Sequence, residues 1–188
     1  MTRPAAKVVR QSIVTKLAPV TRKYAIYLPL YNGIDSRSIG VPAEASFERL
    51  APRTEKPIVF YGTSITHGAS ASRPGMAHVA ILGRRFDRPV VNLGFSGNGR
   101  MDAAVGDLLV KIDAAVYVID CLPNMNAGSV TLKCVPLVKQ IRAERSTTPI
   151  VLVEDRRDLL VARRGVLVLG RERVHAAADD DADRSARS

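Results

Sequence analysis

Four short apolar runs constrain most strongly what this chain can fold into. They cover residues 57–61, 89–95, 115–121 and 149–153, and each is rich in Val, Ile, Leu or aromatic side chains. Patterns typical of helices lie between them, at about 76–86, 101–112 and 129–145. Near-continuous apolar strands joined by helices favour a parallel sheet with right-handed crossovers and helices on both faces. The sequence therefore predicts an α/β fold with a doubly wound, flavodoxin-like, three-layer sheet.

Small polar residues follow the first three of these runs. Gly62 and then Ser64 come after the first, a glycine-rich turn over residues 94–99 ends the second, and a polar cluster that includes Asn124 ends the third. Open α/β sheets bind their ligands at the carboxyl ends of the strands. Acyl transfer needs a nucleophile and hydrogen-bond donors for the developing oxyanion. This pattern suggests Ser64 as the nucleophile, with the Gly97 N–H and the Asn124 amide as the donors.

The same three segments carry a resemblance to a known family. Residues 62–66 (Gly-Thr-Ser-Ile-Thr), 92–97 (Asn-Leu-Gly-Phe-Ser-Gly) and 120–124 (Asp-Cys-Leu-Pro-Asn) resemble the first three blocks of the SGNH (GDSL-type) hydrolases and esterases. The resemblance covers about residues 57–155. It implies an SGNH hydrolase-like fold, with Ser64 as nucleophile and Gly97 and Asn124 as oxyanion donors. It also implies hydrolysis of small O-acyl esters, for example acetyl esters of carbohydrates.

The family's fourth block, Asp-x-x-His, supplies the general base and is not found in this sequence. His67 follows the nucleophile loop too closely to act as base in the family geometry, and His78 falls in a predicted helix. His175, three residues after Glu172, imitates the spacing and is the tentative base. Since loss of a triad member costs a factor of thousands or more in turnover, we interpret the chain as a truncated and impaired esterase. The alternative is a non-catalytic or degenerate fold fragment without turnover.

Each candidate residue also has a purely structural interpretation. Ser64 could be a turn residue or a helix cap. Gly97 could serve only a tight turn that needs a positive φ. Asn124 could be an ordinary turn residue or an N-cap. The sequence leaves these alternatives open.

Four segments are predicted along the chain. Residues 1–22 form a basic irregular segment, and residues 23–55 form a short N-terminal β segment with strands at 23–30 and 38–41. Within it, residues 27–33 resemble the last hairpin of the β-sandwich that precedes some SGNH hydrolase domains. Residues 56–170 form the hydrolase-like domain, incomplete after 155. It has a further strand-like run at 166–169, after residues 163–165, which suit a hairpin turn or the break between a helix and a strand. Residues 171–188 form an irregular, low-complexity tail, so we interpret the family's final strand and helix as lost or replaced.

Charge and composition limit the partners. The net charge is +10, but residues 1–23 hold six basic side chains and no acidic one, so the rest of the chain is nearly neutral. We therefore expect a small-molecule ester as partner, and no nucleic acid. No apolar run is long enough for a transmembrane helix, and no apolar stretch typical of a secretion signal is present, so we expect no membrane partner and, by default, a cytoplasmic location.

The cysteine and histidine content does not favour a metal site. Cys121 and Cys134 give no disulfide framework, and Cys121 is expected to fill space at the end of a buried strand. No cluster of cysteine and histidine has metal-ligand spacing. We expect no cofactor, and the oligomeric state is left open.

Overall fold

The structure is a computed structural model that describes residues 8–154, together with the backbone of two short strands at 167–169 and 174–176. It divides into two compact units, Met1–Ser46 and Phe47–Ser188. The strands and helices described below all belong to the second unit.

The predicted parallel sheet is confirmed. Its strand order is β2-β1-β3-β4, and each neighbouring pair in that series is parallel. The order reverses between β1 and β3, which is where flavodoxin-like sheets bind their ligands. The four strands are β1 (Ile58–Gly62), β2 (Val90–Gly94), β3 (Val116–Asp120) and β4 (Ile150–Leu152).

Helices cover both faces of this sheet, as the doubly wound prediction requires. They are α1 (Ser64–His67), α2 (His78–Arg85), α3 (Ala103–Leu109) and α4 (Ala127–Glu144), with 3₁₀ turns at Pro74–Met76 and Leu122–Asn124. All five β1 residues are buried because β1 is central and covered on both sides. Since side chains alternate along a strand, Phe60 packs with Val79 of α2 on one face. On the other face Tyr61 packs with Leu109 of α3 and Ile141 of α4.

The sheet continues beyond β4 with two short antiparallel strands. β5 (Leu167–Leu169) pairs with β4, and β6 (Val174–Ala176) pairs with β5. β5 matches the run predicted at 166–169, whereas the turn predicted at 163–165 lies outside the described residues. β6 lies within 171–188, the range predicted as an irregular tail, and the other residues of that range lie outside the described ones. A three-residue strand has too little periodicity to be recognised in sequence, and its partner strand is what defines it.

The predicted N-terminal β segment is wrong. Residues 8–57 contain neither helix nor strand, so the strands expected at 23–30 and 38–41 do not form. Their apolar side chains are exposed, with Ile26 51% and Ile39 47% accessible. A strand needs a partner for its backbone groups and a surface for its apolar face, and two short strands alone are marginal. The assignment of 23–55 as a sandwich remnant stays a prediction.

Within the described residues, no helix combines the length and the hydropathy needed to cross a membrane.

Candidate active site

The sheet register brings the ends of the three candidate segments level. Gly62, the last residue of β1, pairs with Gly94 of β2 on one side and with Asp120 of β3 on the other. The turns that follow these three residues therefore start from one edge of the sheet. This is the arrangement that the sequence predicted from the positions of the three polar segments.

The turn after β2 packs directly against the end of β1. The Phe95 N–H donates to the Gly62 carbonyl at 2.9 Å. Gly99 approaches the same carbonyl so closely that a Cβ at this position would lie 1.9 Å from the oxygen and 3.2 Å from the Thr63 nitrogen. Since no real Cβ contact is that short, only glycine fits at position 99.

Ser64 is the first residue of α1 and is half-buried. The cap of this helix is Thr63, whose hydroxyl accepts from the Ile65 N–H at 3.3 Å. The capping role considered for Ser64 is therefore filled by its neighbour. Within the described residues, neither the hydroxyl nor the main-chain N–H of Ser64 has a hydrogen-bond partner.

Gly97 lies at the exposed tip of the turn after β2 and has φ +74°. The N–H groups of Asn98 and Gly99 both donate to the Phe95 carbonyl, which closes the turn around it. The turn thus uses the positive φ that the structural interpretation requires. The Gly97 N–H itself makes no hydrogen bond among the described residues, so the hydrogen bonds that close the turn do not use this donor.

Asn124 ends the 3₁₀ turn that follows β3 and is half-buried. Its Nδ2 lies 3.4 Å from the Gly99 carbonyl, a long hydrogen bond that links the third segment to the second. The N-cap of α4 is Asn126, whose Oδ1 accepts from the Ser129 N–H at 2.9 Å. The capping role considered for Asn124 therefore belongs to the residue two positions later.

The comparisons with known proteins identify the family of this chain. Residues 55–171 match the model of the GDSL-like lipase/acylhydrolase family, which is more than half of the chain. The chain belongs to this family. No functionally curated protein matched the chain.

Solved structures of GDSL and SGNH proteins are similar to this family member. A GDSL-like lipase from Bacteroides ovatus is 42% identical with a TM-score of 0.65, over 68% of this chain and 38% of its own. The salicylyl-acyltransferase SsfX3 of a tetracycline biosynthetic pathway is 24% identical (TM-score 0.46, 57% of this chain and 34% of its own). AlinE4, an SGNH-hydrolase family esterase, is 16% identical (TM-score 0.46, 59% and 66%). The chain thus spans little more than a third of the length of the first two.

The histidines of this GDSL-family chain take three different positions. His67 is the last residue of α1 and is half-buried. His78 is the first residue of α2, which confirms that it is helical. Its ring packs edge-on against the Phe60 ring, with 6.1 Å between the ring centroids. The backbone of His175 lies in β6, four strand positions from β1, or about 19 Å at about 4.8 Å per step. The sheet does not bring this position beside Ser64, and the role of His175 as base stays a prediction.

Sequence analysis assigned no role to three side chains at the site. Thr66, Asn92 and Asp120 connect α1 to β2 and β3 through hydrogen bonds. Their positions within the three GDSL-type segments are visible in the sequence, but their contacts depend on the strand register. No spacing signal in the chain could have assigned them.

Cys121 follows β3 directly and is fully buried, with its Sγ 3.7 Å from the Tyr61 carbonyl. Burial raises the pKa of this thiol to about 12. Because the thiolate is the reactive form, we expect Cys121 to resist alkylation by iodoacetamide at pH 8 in the folded protein and to react fully in urea. Mass spectrometry of the Cys121 peptide measures this, with half-buried Cys134 as internal comparison. Rapid labelling of Cys121 under native conditions would contradict its burial.

No group of three or more His, Cys, Asp or Glu side chains within residues 8–154 is arranged to hold a metal ion.

Proposed function

We propose that this chain is a serine ester hydrolase that acts on small O-acyl esters, with Ser64 as the nucleophile. The observation that carries the proposal is the packing of the turns after β1, β2 and β3 against one another at the end of β1. Ser64 lies two residues after Gly62, Gly99 touches the Gly62 carbonyl, and Asn124 bonds to Gly99. The turns that carry the Ser64 hydroxyl, the main-chain N–H groups and the Asn124 carboxamide thus all begin at one edge of the sheet. This is the edge at which the strand order reverses between β1 and β3.

The chemistry assigned to these groups is acyl transfer. The Ser64 Oγ attacks the ester carbonyl carbon and loses its proton to a general base. The carbonyl oxygen becomes an oxyanion, which accepts hydrogen bonds from the Ser64 N–H, the Gly97 N–H and the Asn124 amide. The alcohol leaves with a proton, and water then releases the acyl group from Ser64 in the reverse sequence. The donor groups of Ser64 and Gly97 have no other partner among the described residues, which supports this role.

The proposal also names the general base and the alcohol part of the ester. A histidine is the expected base, and His175 is the candidate that the sequence offers. The exposed rim of the turn after β2 carries polar side chains and no large apolar one apart from Phe95, which is 39% exposed. A polar rim suits a hydroxylated alcohol, so acetyl esters of carbohydrates are the substrate class we propose.

Covalent trapping tests this function directly. We expect the protein to hydrolyse p-nitrophenyl acetate and to be labelled by a fluorophosphonate on the peptide that contains Ser64. Intact and peptide mass spectrometry locate the label, and heat-denatured protein serves as the control. Hydrolysis without label on Ser64 would place the reaction elsewhere. Absence of both would favour a non-catalytic family member.

Replacing Asn124 by alanine tests the oxyanion assignment. We expect kcat for p-nitrophenyl acetate to fall about 100-fold, since one donor is lost while two main-chain donors remain. Asn126→Ala is the matched control. It removes the α4 cap and should lower stability by about 1 kcal/mol with little change in kcat. Equal effects of the two variants on kcat would argue against Asn124 as a donor.

A further inference from the structure

Thr66 is fully buried two residues after Ser64 and is bonded to both strands that flank β1. Its Oγ1 donates to Asp120 Oδ2 in β3 at 2.7 Å. Its carbonyl accepts from Asn92 Nδ2 in β2 at 3.0 Å. The turn that carries Ser64 is therefore fixed from two sides.

The Asn92 carboxamide serves two elements at once. While its Nδ2 donates to Thr66, its Oδ1 accepts from the Gly94 N–H at 2.9 Å. The same side chain thus ties α1 to the start of the turn that carries Gly97. Its two halves act as donor and acceptor, a combination that an aspartate cannot provide in its ionised form.

Two glycines leave room for the turn that carries Thr66. A Cβ at Gly62 would lie 2.0 Å from Thr66 Oγ1, and one at Gly94 would lie 2.8 Å from the Thr66 carbonyl carbon. Thr66 therefore sits in a gap between the ends of β1 and β2. Close packing and directed hydrogen bonds together leave little freedom in this turn.

Such support matters because α1 has only four residues. A single helical turn is not stable by itself, since nucleation fixes several residues for one hydrogen bond. Ser64 is its first residue and takes its position from the turn. A reacting group must be held within about 0.5 Å of its productive position. A displacement of about 1 Å from that position can lower the rate about 100-fold.

We propose that Thr66, Asn92 and Asp120 form a positioning clamp that holds the Ser64 turn against β2 and β3. Thr66 belongs to α1, and Asn92 and Asp120 bond to it. None of the three is among the groups to which the proposed function assigns a step, so they are positioning residues. This inference rests on the proposed function, because the rate that the clamp supports is that of the Ser64 hydroxyl.

Thr66→Val and Thr66→Ser are the matched pair that tests the clamp. Valine has the shape of threonine but lacks the hydroxyl, whereas serine keeps it. With p-nitrophenyl acetate, we expect Thr66→Val to lower kcat about 10- to 30-fold with KM within about twofold. Thr66→Ser should stay within about threefold of the wild-type kcat.

Hydrogen–deuterium exchange provides a readout that does not depend on turnover. In Thr66→Val, peptides over residues 62–69 should take up deuterium at least about tenfold faster, while peptides over 137–152 remain unchanged. Thr66→Ser should match the wild type in both regions. If the wild type hydrolyses no ester, the proposed function fails. The exchange comparison still tests whether the clamp holds the Ser64 turn. Equal exchange in all three proteins, or faster exchange throughout Thr66→Val, would overturn it.

Discussion

Ser64→Ala is expected to lower the rate of p-nitrophenyl acetate hydrolysis by at least about a thousandfold, towards the rate of denatured protein. Removal of the nucleophile abolishes acyl-enzyme formation, and other serine hydrolases lose comparable or larger factors. Stability should hardly change, since Ser64 does not cap α1 and alanine is well tolerated in a helix. Initial rates and thermal unfolding of the two proteins measure these effects.

Ser70→Ala is the matched control for this experiment. Ser70 is exposed in the loop after α1 and lies six residues from the proposed nucleophile. Its replacement should leave both rate and unfolding temperature unchanged. If Ser64→Ala retains the wild-type rate, the residue is not the nucleophile and the ester hydrolase proposal fails with it.

Gly99→Ala should destabilise the fold and disrupt the site together. The added Cβ would meet the Gly62 carbonyl oxygen at 1.9 Å. The carbonyl is a backbone group and the Cβ position is fixed by the backbone, so neither can rotate away. The turn after β2 must then move off the end of β1. We expect a loss of about 3 kcal/mol or more in the free energy of unfolding. Esterase activity should fall to background, because Gly97 and the Gly99 carbonyl that holds Asn124 move with the turn. Urea unfolding and ester hydrolysis check the two effects.

Gly128→Ala makes the same chemical change where there is room for it. Gly128 lies in the first turn of α4, and a Cβ there would make an ordinary 3.6 Å contact with Asn126 Oδ1. Alanine favours the helix, so stability should be unchanged or rise by up to about 1 kcal/mol. A Gly99→Ala variant as stable and active as Gly128→Ala would contradict the close approach of the two turns.

The sequence alone predicted the hydrolase sheet because its strands carry strong local signals. Runs such as Ile58–Tyr61 are continuous and apolar, as strands buried on both faces must be. The helices between them match those observed to within a few residues. Since parallel strands joined by helices all point the same way, their carboxyl ends had to meet at one edge.

The same kind of signal failed before residue 57. Ile26 and Ile39 lie in runs with strand-like composition. In the structure both side chains are exposed, and neither residue belongs to a strand. Composition shows that a segment fits a half-buried pleated surface, but it does not supply that surface. Strand formation there depends on a partner, which local sequence does not specify.

What the sequence determined by itself is the set of strands and the three polar segments that follow them, because both follow from hydrophobic periodicity and glycine placement. Only the tertiary structure decided that Thr66 bonds to Asn92 and Asp120, which lie 26 and 54 positions away along the chain. Only it decided that Thr63 and Asn126, and not Ser64 and Asn124, cap the helices. Such contacts depend on strand register and on how turns pack, and a shift of one residue would exchange the partners.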